Sequence, residues 1–559
     1  MTRSAFFRFL SAALLCALIV LPGPDGVPAR GETAGFVRVS GRSLTLDGEP
    51  FRIKGIAMGN GVWSNPASAP VRDHDGESFR ELAELGFNSV RFYLNYALFE
   101  SDPEPYTYRE EGFEWLDRNI AWAKEHGIRL ILNMHYPQGG YQSQGNGDRL
   151  WTDRSCQERL VALWSRIAER YRDETAIIGY GLVNEPMPVG KTNARDGLRV
   201  WRELAQEIAD GIRCFDPNHV LFVERVLGVK DPKTGATDWS LPPIEQFVTI
   251  RDENTAYEFH TYDPHSFTHQ GFDWAGTGGT QAVYPDDSLY ASGLSWLSFQ
   301  AAPRAKTGST DWQYLESGLL RVTDPKANAL ALCFQASAVG RSASAYADDL
   351  YIDVYDEKGQ LLQSVPCETS ETHGNFSFWS QNGSGQGLIS QTQGVDDRRS
   401  LRIRGTTGDA NMTLIRLAHE SGRQYRVRGY VKADKAAASA LITLRLDAYH
   451  ADAIRAGSLE MLLQSFRDAL LFSETSGCPV YCGEFGAGIH CFQKNRGGEA
   501  WVTDSITFLL ESGIGFNYHA YYDGSFGLYY DAGGKRVRNE ALFQVLRDCL
   551  RESGTSGPA

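Results

Sequence analysis

The sequence is short of positive charge, of metal-spaced ligands and of long apolar runs, and each shortage excludes a class of function. Its 55 Lys and Arg stand against 69 Asp and Glu, a formal charge of −14. A surface of that sign repels phosphate backbones, so nucleic acid is not an expected partner, whereas a neutral polymer is indifferent to it. The nine cysteines are widely and irregularly spaced and match no zinc pattern, and no Gly-rich phosphate loop is present. No metal and no cofactor is therefore implied. A long apolar run occurs once, at Leu10–Leu21, and it is shorter than the roughly 20 residues that span a bilayer. Arg3 and Arg8 precede it, and small or turn-forming residues follow up to Ala34. Residues 1–34 thus read as a cleavable secretory signal, which places the mature chain outside the cell or in the periplasm, free of the membrane. Arg3, Arg8 and Arg30 against Asp25 and Glu32 give the signal +1, leaving −15 on the mature chain. An oxidising compartment would permit a few disulfides, with Cys482 and Cys491 the nearest plausible pair.

What is present is globular: 42% hydrophobic, 22% charged and 12% aromatic residues over 559 positions. At roughly 150 residues per domain, that length allows two to four domains, or one barrel with a smaller companion. Phe36 to Ile53 alternates in the strand manner around Asp47-Gly48-Glu49, predicting a hairpin. A regular beat follows, of short β-type runs alternating with amphipathic stretches. The strand-like runs are Arg52–Met58, Ser89–Leu94, Arg129–His135, Ile177–Asn184, His219–Glu224, Thr255–Tyr262, Pro479–Phe485 and Ile514–Ala520. Helical patterns cover Asp75–Leu85, Glu111–His126, Ser155–Arg172, Gly197–Arg213, Gly457–Ser476, Gly498–Ser512 and Asn539–Arg551. Eight strands alternating with helices, with polar residues at the strand ends, predict an α/β fold of the (β/α)8 barrel type with its site at the C-terminal ends of the strands. A doubly wound sheet also alternates, but polar residues at every strand end favour closure.

The beat breaks between about Ser288 and Asp447. Short alternating runs replace it at Ala329–Ala336, Asp349–Tyr355, Ser400–Arg404, Gln424–Val431 and Ala440–Leu446, separated by Gly/Ser turns. That pattern predicts a jelly-roll-like β-sandwich inserted in a barrel loop. The expected division is signal 1–34, barrel 36–287, inserted sandwich 288–447 and barrel again 448–559.

The strand ends carry the chemistry. Arg91 lies on the second strand, His135 ends the third, Asn184-Glu185-Pro186 the fourth, His260 and Tyr262 the sixth, and Glu484 the seventh. Singly, each has an ordinary explanation as an ion pair or a core histidine. Jointly, at one end of successive strands, they form a site. Two carboxylates on strands four and seven face each other across the mouth, and a retaining glycosidase needs such a pair roughly 5 Å apart. A guanidinium such as Arg91 would keep Glu484 ionised, while Glu185 must rest protonated. Asn184 suits a sugar 2-hydroxyl, Tyr262 suits the nucleophile, and His135 and His260 suit a supporting layer.

The segments NSVRFYL (88–94), ILNMH (131–135), GLVNEP (181–186), EFHTYD (258–263) and VYCGEFG (480–486) resemble glycoside hydrolase family 5, the main cellulase family. The resemblance implies that Glu185 is the acid/base and Glu484 the nucleophile, and that Arg91, His135, Asn184, His260 and Tyr262 line the subsite of cleavage. It implies a β-linked polysaccharide or oligosaccharide as substrate, most directly a β-1,4-glucan cut internally, with mannan or another β-glucan next in order. A monomer is expected. The family usually places a tryptophan at the end of the last strand. Here His519 holds that place, with Phe516, Tyr518 or Tyr521 as possible stacking substitutes. Loop aromatics Trp63, Tyr136, Tyr141, Trp151 and Trp274 are further candidate sugar platforms. Within the insert, 375–379, 400–405 and 422–434 resemble the first half of a carbohydrate-binding jelly roll of families 4, 9 and 22. Residues 311–322, 327–334 and 346–356 resemble its second half but come first, as in a circular permutation. Trp296, Trp312 and Trp379 are its candidate platforms.

Overall fold

The computed structural model describes residues 35–59, 61–62, 74–239, 241–278, 282–286, 289–367 and 376–552. The expected signal, Trp63, Asn375 and the 287/288 join lie outside these residues. Eight parallel strands, Lys54–Met58, Ser89–Asn95, Arg129–Tyr136, Ile177–Gly181, Val220–Glu224, Thr255–Thr261, Val480–Phe485 and Gly515–Tyr518, close into a barrel in chain order. Strands two, four, five, six and seven are buried at every position. Helices cover the outer face of such a barrel and side chains fill its lumen, so its strands read as unbroken apolar runs.

Helix boundaries follow local chemistry. Asp75 caps Gly76–Leu85 in a reciprocal capping box with Ser78, and Gly86 ends the helix at φ 101°, a left-handed backbone that only glycine adopts cheaply. Trp164, Trp201 and Trp501 are fully buried on three helices. Their indole N–H groups donate to the carbonyls of Leu182 (3.0 Å), Glu224 (2.9 Å) and Asp263 (2.9 Å). Those carbonyls lie at or just beyond the ends of strands four, five and six, so the helix layer pins the rim that carries the polar residues. At the opposite end, the predicted hairpin is a three-stranded sheet, Val37–Ser40, Ser43–Leu46 and Glu49–Phe51. Val37 and Leu44 pack there with Ile53, Ile131, Ile178, Val220 and Phe222, closing the barrel floor.

The insert is a β-sandwich of two antiparallel sheets. One contains Ser295–Ala301, Leu441–His450, Ala329–Ser337, Ala410–Ala418 and Ser377–Ser380. The other contains Gln313–Glu316, Gln424–Asp434, Ser344–Tyr355, Ser400–Arg404 and Gln386–Ser390, with Leu361–Pro366 beside Ser344–Tyr355. Alternation along residues 425–434 sends Val427 and Val431 inward, where they join Leu332, Phe334, Ile352, Ile403, Met412 and Leu444 in a core separate from the barrel's. A ribbon of Leu289–Ser292 against Ala453–Ala456 leads in and out.

Cys482 and Cys491 do not pair. Cys482 lies within strand seven, its thiol on the Glu484 carbonyl, while Cys491 lies in a turn past the strand's end, its thiol on the Phe267 carbonyl. No helix among the described residues is long and apolar enough to cross a membrane.

Candidate active site

Arg91 organises the mouth. Wholly buried on strand two, its guanidinium donates to Glu484 Oε1 at 2.5 Å and to Asn184 Oδ1 at 2.9 Å. Its Nε lies 2.8 Å from Glu258, and Nη2 3.6 Å from Glu224. Glu484 Oε1 also accepts from the Tyr93 hydroxyl at 2.5 Å, and Oε2 from the Tyr262 hydroxyl at 2.8 Å. Burial alone would raise the Glu484 carboxyl, but the His260 and Arg91 charges hold it well below the usual range, so it is ionised. Burial and the Glu484 charge push the phenols of Tyr93 and Tyr262 well up, which keeps both as donors.

Glu185 follows strand four with φ 43°. A left-handed backbone costs a non-glycine residue roughly 1–2 kcal/mol, and strain of this kind gathers at sites where a side chain must be aimed. The turn brings Glu185 Oε1 within 3.0 Å of His260 Nδ1, while the same nitrogen lies 3.6 Å from Glu484 Oε2. With its side chain 14% exposed against 6% for Glu484, 3% for Glu224 and none for Glu258, Glu185 is the carboxylate most open to the cleft. Burial opposes a charge on His260, but Glu224 and Glu484 raise its pKa well above the usual value. It is an imidazolium bridging the two glutamates.

His135 stacks on Tyr93 at 3.9 Å and bonds Asn133 at 3.2 Å. Burial lowers its pKa well below the ordinary value, so the ring is neutral. His519 Nδ1 lies 3.0 Å from the Tyr93 hydroxyl. The single phenolic proton goes to the ionised Glu484, so His519 donates from Nδ1 to the phenol oxygen.

All eight residues expected at the site, Arg91, His135, Asn184, Glu185, His260, Tyr262, Glu484 and His519, are brought together. Three further members were not anticipated: Tyr93, Glu224 and Glu258. Tyr93 and Glu258 each sit two positions from a recognised residue, Arg91 and His260, on the same strand face, and that spacing is the signal that could have found them. The suggested stacking substitutes do not face the mouth. Phe516 and Tyr518 are buried in the barrel core, and Tyr521 donates to Glu81 on the first helix. Phe526 instead packs on Tyr262 and His519 at 5.5 and 5.6 Å. Beyond it stands Trp274, 60% exposed. On another side Tyr141 lies 5.8 Å from His135 and stacks on Tyr136. Trp151 is buried and donates to Gln142, so it offers no platform.

Among the described residues, Glu185, Glu224 and His260 present atoms within 4.8 Å of one another, close enough to chelate a cation. Those atoms are engaged with each other, and we read them as a proton-sharing cluster and not as ligands. An ionised carboxylate held by three donors, opposite a more open carboxyl, suits attack on an acetal carbon with proton donation to the departing oxygen.

Residues 44–297 match the family described as Cellulase (glycosyl hydrolase family 5). Over that stretch, which holds the first six barrel strands, the chain is similar to glycosyl hydrolase family 5. Endoglucanase C of Acetivibrio thermocellus is 30% identical over 195 residues, 35% of this chain and 52% of its own. A beta-xylosidase of Phanerodontia chrysosporium is 34% identical over 202 residues, 35% of this chain and 38% of its own. Cellodextrinase A of Ruminococcus flavefaciens is 25% identical over 229 residues, 40% of this chain and 62% of its own. The chain thus spans about half the length of the curated relatives it matches. The family 5 match includes Arg91, His135, Asn184, Glu185, His260 and Tyr262, while Glu484 and His519 lie beyond it.

Proposed function

We propose that this protein is a secreted, retaining glycoside hydrolase that cuts β-1,4-linked glucan internally, with Glu185 as acid/base and Glu484 as nucleophile. The observation that carries the reading is that one nitrogen, His260 Nδ1, lies 3.0 Å from Glu185 and 3.6 Å from Glu484. Carboxylates that share a neighbour so closely leave little of the roughly 6.5–9.5 Å an inverting enzyme needs for its water. Attack is therefore direct.

Glu185 gives its proton to the glycosidic oxygen while Glu484 attacks the anomeric carbon. Oε2 is the attacking atom, since it carries one hydroxyl donor, from Tyr262, whereas Oε1 carries both Arg91 and Tyr93. A covalent glycosyl ester forms as the leaving alcohol departs. Glu185, now ionised, takes a proton from water, and the resulting hydroxide attacks the same carbon and frees Glu484. Two inversions restore the β configuration. Asn184, fixed by Arg91 and Ser143, binds the sugar 2-hydroxyl. Trp274 and Tyr141 serve as platforms for neighbouring sugars, as in a cleft crossed by a chain.

The relatives' names, endoglucanase and cellodextrinase, favour a glucan as substrate, and beta-xylosidase another β-linked sugar. His519 in place of the usual tryptophan keeps mannan and other β-glucans as the next reading, with transglycosylation open to the same intermediate. A silent polysaccharide-binding role fits poorly, since it would have no use for a strained Glu185 beside an ionised Glu484. The sandwich is a carbohydrate-binding module, permuted as its motif order suggests. Trp296 and Trp379, each more than half exposed, are its platforms, whereas Trp312 is half-buried under Lys432. Hydrolysis of a polysaccharide panel with product sizing tests the reading. Mixed short and medium oligosaccharides from β-1,4-glucan support it, and no hydrolysis of any β-glycan overturns it.

A further inference from the structure

The mouth holds more carboxylates than its cations can balance. Glu185, Glu224, Glu258 and Glu484 crowd around the charges of Arg91 and His260, while the nearby Arg225 donates to the His260 carbonyl and faces Asp263 first. Arg91 contacts Glu484 at 2.5 Å and Glu258 at 2.8 Å. The other two share His260 Nδ1, Glu185 at 3.0 Å and Glu224 at 3.3 Å. Two cations offset two carboxylates, so the cluster nears neutrality only when the remaining pair carries protons. Glu185 needs one to act as an acid. Glu224 holds the second.

Resting on the acid/base role of Glu185, we propose that Glu224 is a positioning residue that shares the Nδ1 proton of His260 and so keeps Glu185 protonated to higher pH. The groups facing Glu224 are Arg91 from strand two, Glu185 after strand four, Glu258 and His260 from strand six, and Arg225 beside it in the chain. Glu484 acts through His260. Burial pushes the Glu224 carboxyl well up against the pull of His260 and Arg91, and Glu258 adds to the rise. As pH rises, one of the two proton-bearing carboxyls ionises first. Its charge, within 4.8 Å of the other, then opposes loss of the second proton. The pair titrates in two coupled steps, and the proton left after the first is shared across His260 Nδ1, so the acid persists until the second. Nothing in the two-glutamate reaction itself requires this third carboxyl. Its test is a pH limb.

The measurement is kcat/KM against pH for wild type, Glu224→Gln and Glu224→Asp on an aryl β-cellobioside with a poor leaving group. The amide keeps the shape but cannot ionise. Its basic limb should fall about one pH unit or more toward acid, while Glu224→Asp stays within a few tenths of wild type. A basic limb in Glu224→Gln that coincides with wild type overturns the proposal, as does a loss of rate with no movement of the limb. A dinitrophenyl substrate, which needs no proton to leave, separates this failure from that of the underlying reading. If wild type shows the same basic limb on both substrates, Glu185 is not the acid. Infrared difference titration of the wild type needs no variant. Two buried carboxylic-acid bands lost at separate pH values support the shared cluster, and a single band contradicts it.

Discussion

The barrel mouth and the inserted sandwich both bury charge, and they do so in opposite ways. In the sandwich, charges pair off one to one near the edge, as Arg428 with Asp353 and Arg445 with Asp447, each arginine still part-exposed. At the mouth, Arg91 and His260 are shared among four carboxylates, and all six groups are buried or nearly so. Desolvating that many charges costs several kcal/mol per ion before contacts repay it. The sandwich spends its interior on apolar packing, and the mouth gives up packing for polarity. A fold that accepts such a cost at one end of one barrel uses it for chemistry, and the sandwich is free of that demand.

The widest separation of the two regions comes from one substitution in each. Glu484→Gln should lower turnover on every substrate by at least about 10^4-fold, with circular dichroism unchanged. Leu332→Ala, in the sandwich core, should cost the insert about 2–5 kcal/mol and leave turnover of soluble oligosaccharides intact. Joint loss of activity in Leu332→Ala, with the barrel still folded, would show that the sandwich shapes the cleft.

Glu185→Ala sharpens the contrast within the mouth. Natural substrates should slow by about 10^2–10^4-fold, while dinitrophenyl glycosides keep most of their first-step rate. Equal losses on both would remove Glu185 from the acid role.

Tyr93→Phe should be milder. It removes one hydrogen bond to an ionised carboxylate, worth roughly 1.5–3 kcal/mol, so kcat/KM should fall about 10- to 100-fold with little change in melting temperature. A loss below threefold would make Tyr93 a packing residue only.

The smallest effect concerns stability. Native Glu224 keeps its proton above the ordinary carboxylate range, whereas the unfolded chain releases it from about pH 4 upward. The folded state binds more protons there, so stability falls as pH rises toward the native value. Glu224→Gln removes that penalty. Its melting temperature should match wild type near pH 4 and exceed it by about 2 °C at pH 7. A lower melting temperature at pH 7 would mean that Glu224 is ionised and stabilising in the native state.

These two regions also differed in how plainly the sequence announced them. Parallel strands buried on both faces appear as apolar runs, and their polar tips stand out, which is why Arg91, His135, Asn184, Glu185, His260, Tyr262 and Glu484 were readable. Tyr93 was hidden because an aromatic inside such a run reads as core. Glu224 and Glu258 were hidden because a single acid near a strand end reads as rim. Phe526 was hidden because it lies in a turn, where no periodicity marks a side chain's direction, whereas Trp274 was named as a candidate platform. In the sandwich, central strands such as Gln424–Asp434 alternate visibly, while Leu361–Pro366 is exposed almost throughout and leaves no pattern to read. The Cys482–Cys491 pairing failed because nearness in sequence did not reflect the turn that separates the two thiols.

The central claim is that Glu484 forms a covalent bond to the sugar. Incubating the protein with a 2-deoxy-2-fluoro-β-cellobioside bearing a good leaving group, then mapping the product by peptide mass spectrometry, tests it directly. The account predicts one added fluorosugar, carried on Glu484. A label on any other residue, or turnover of the reagent with no covalent adduct, would contradict it.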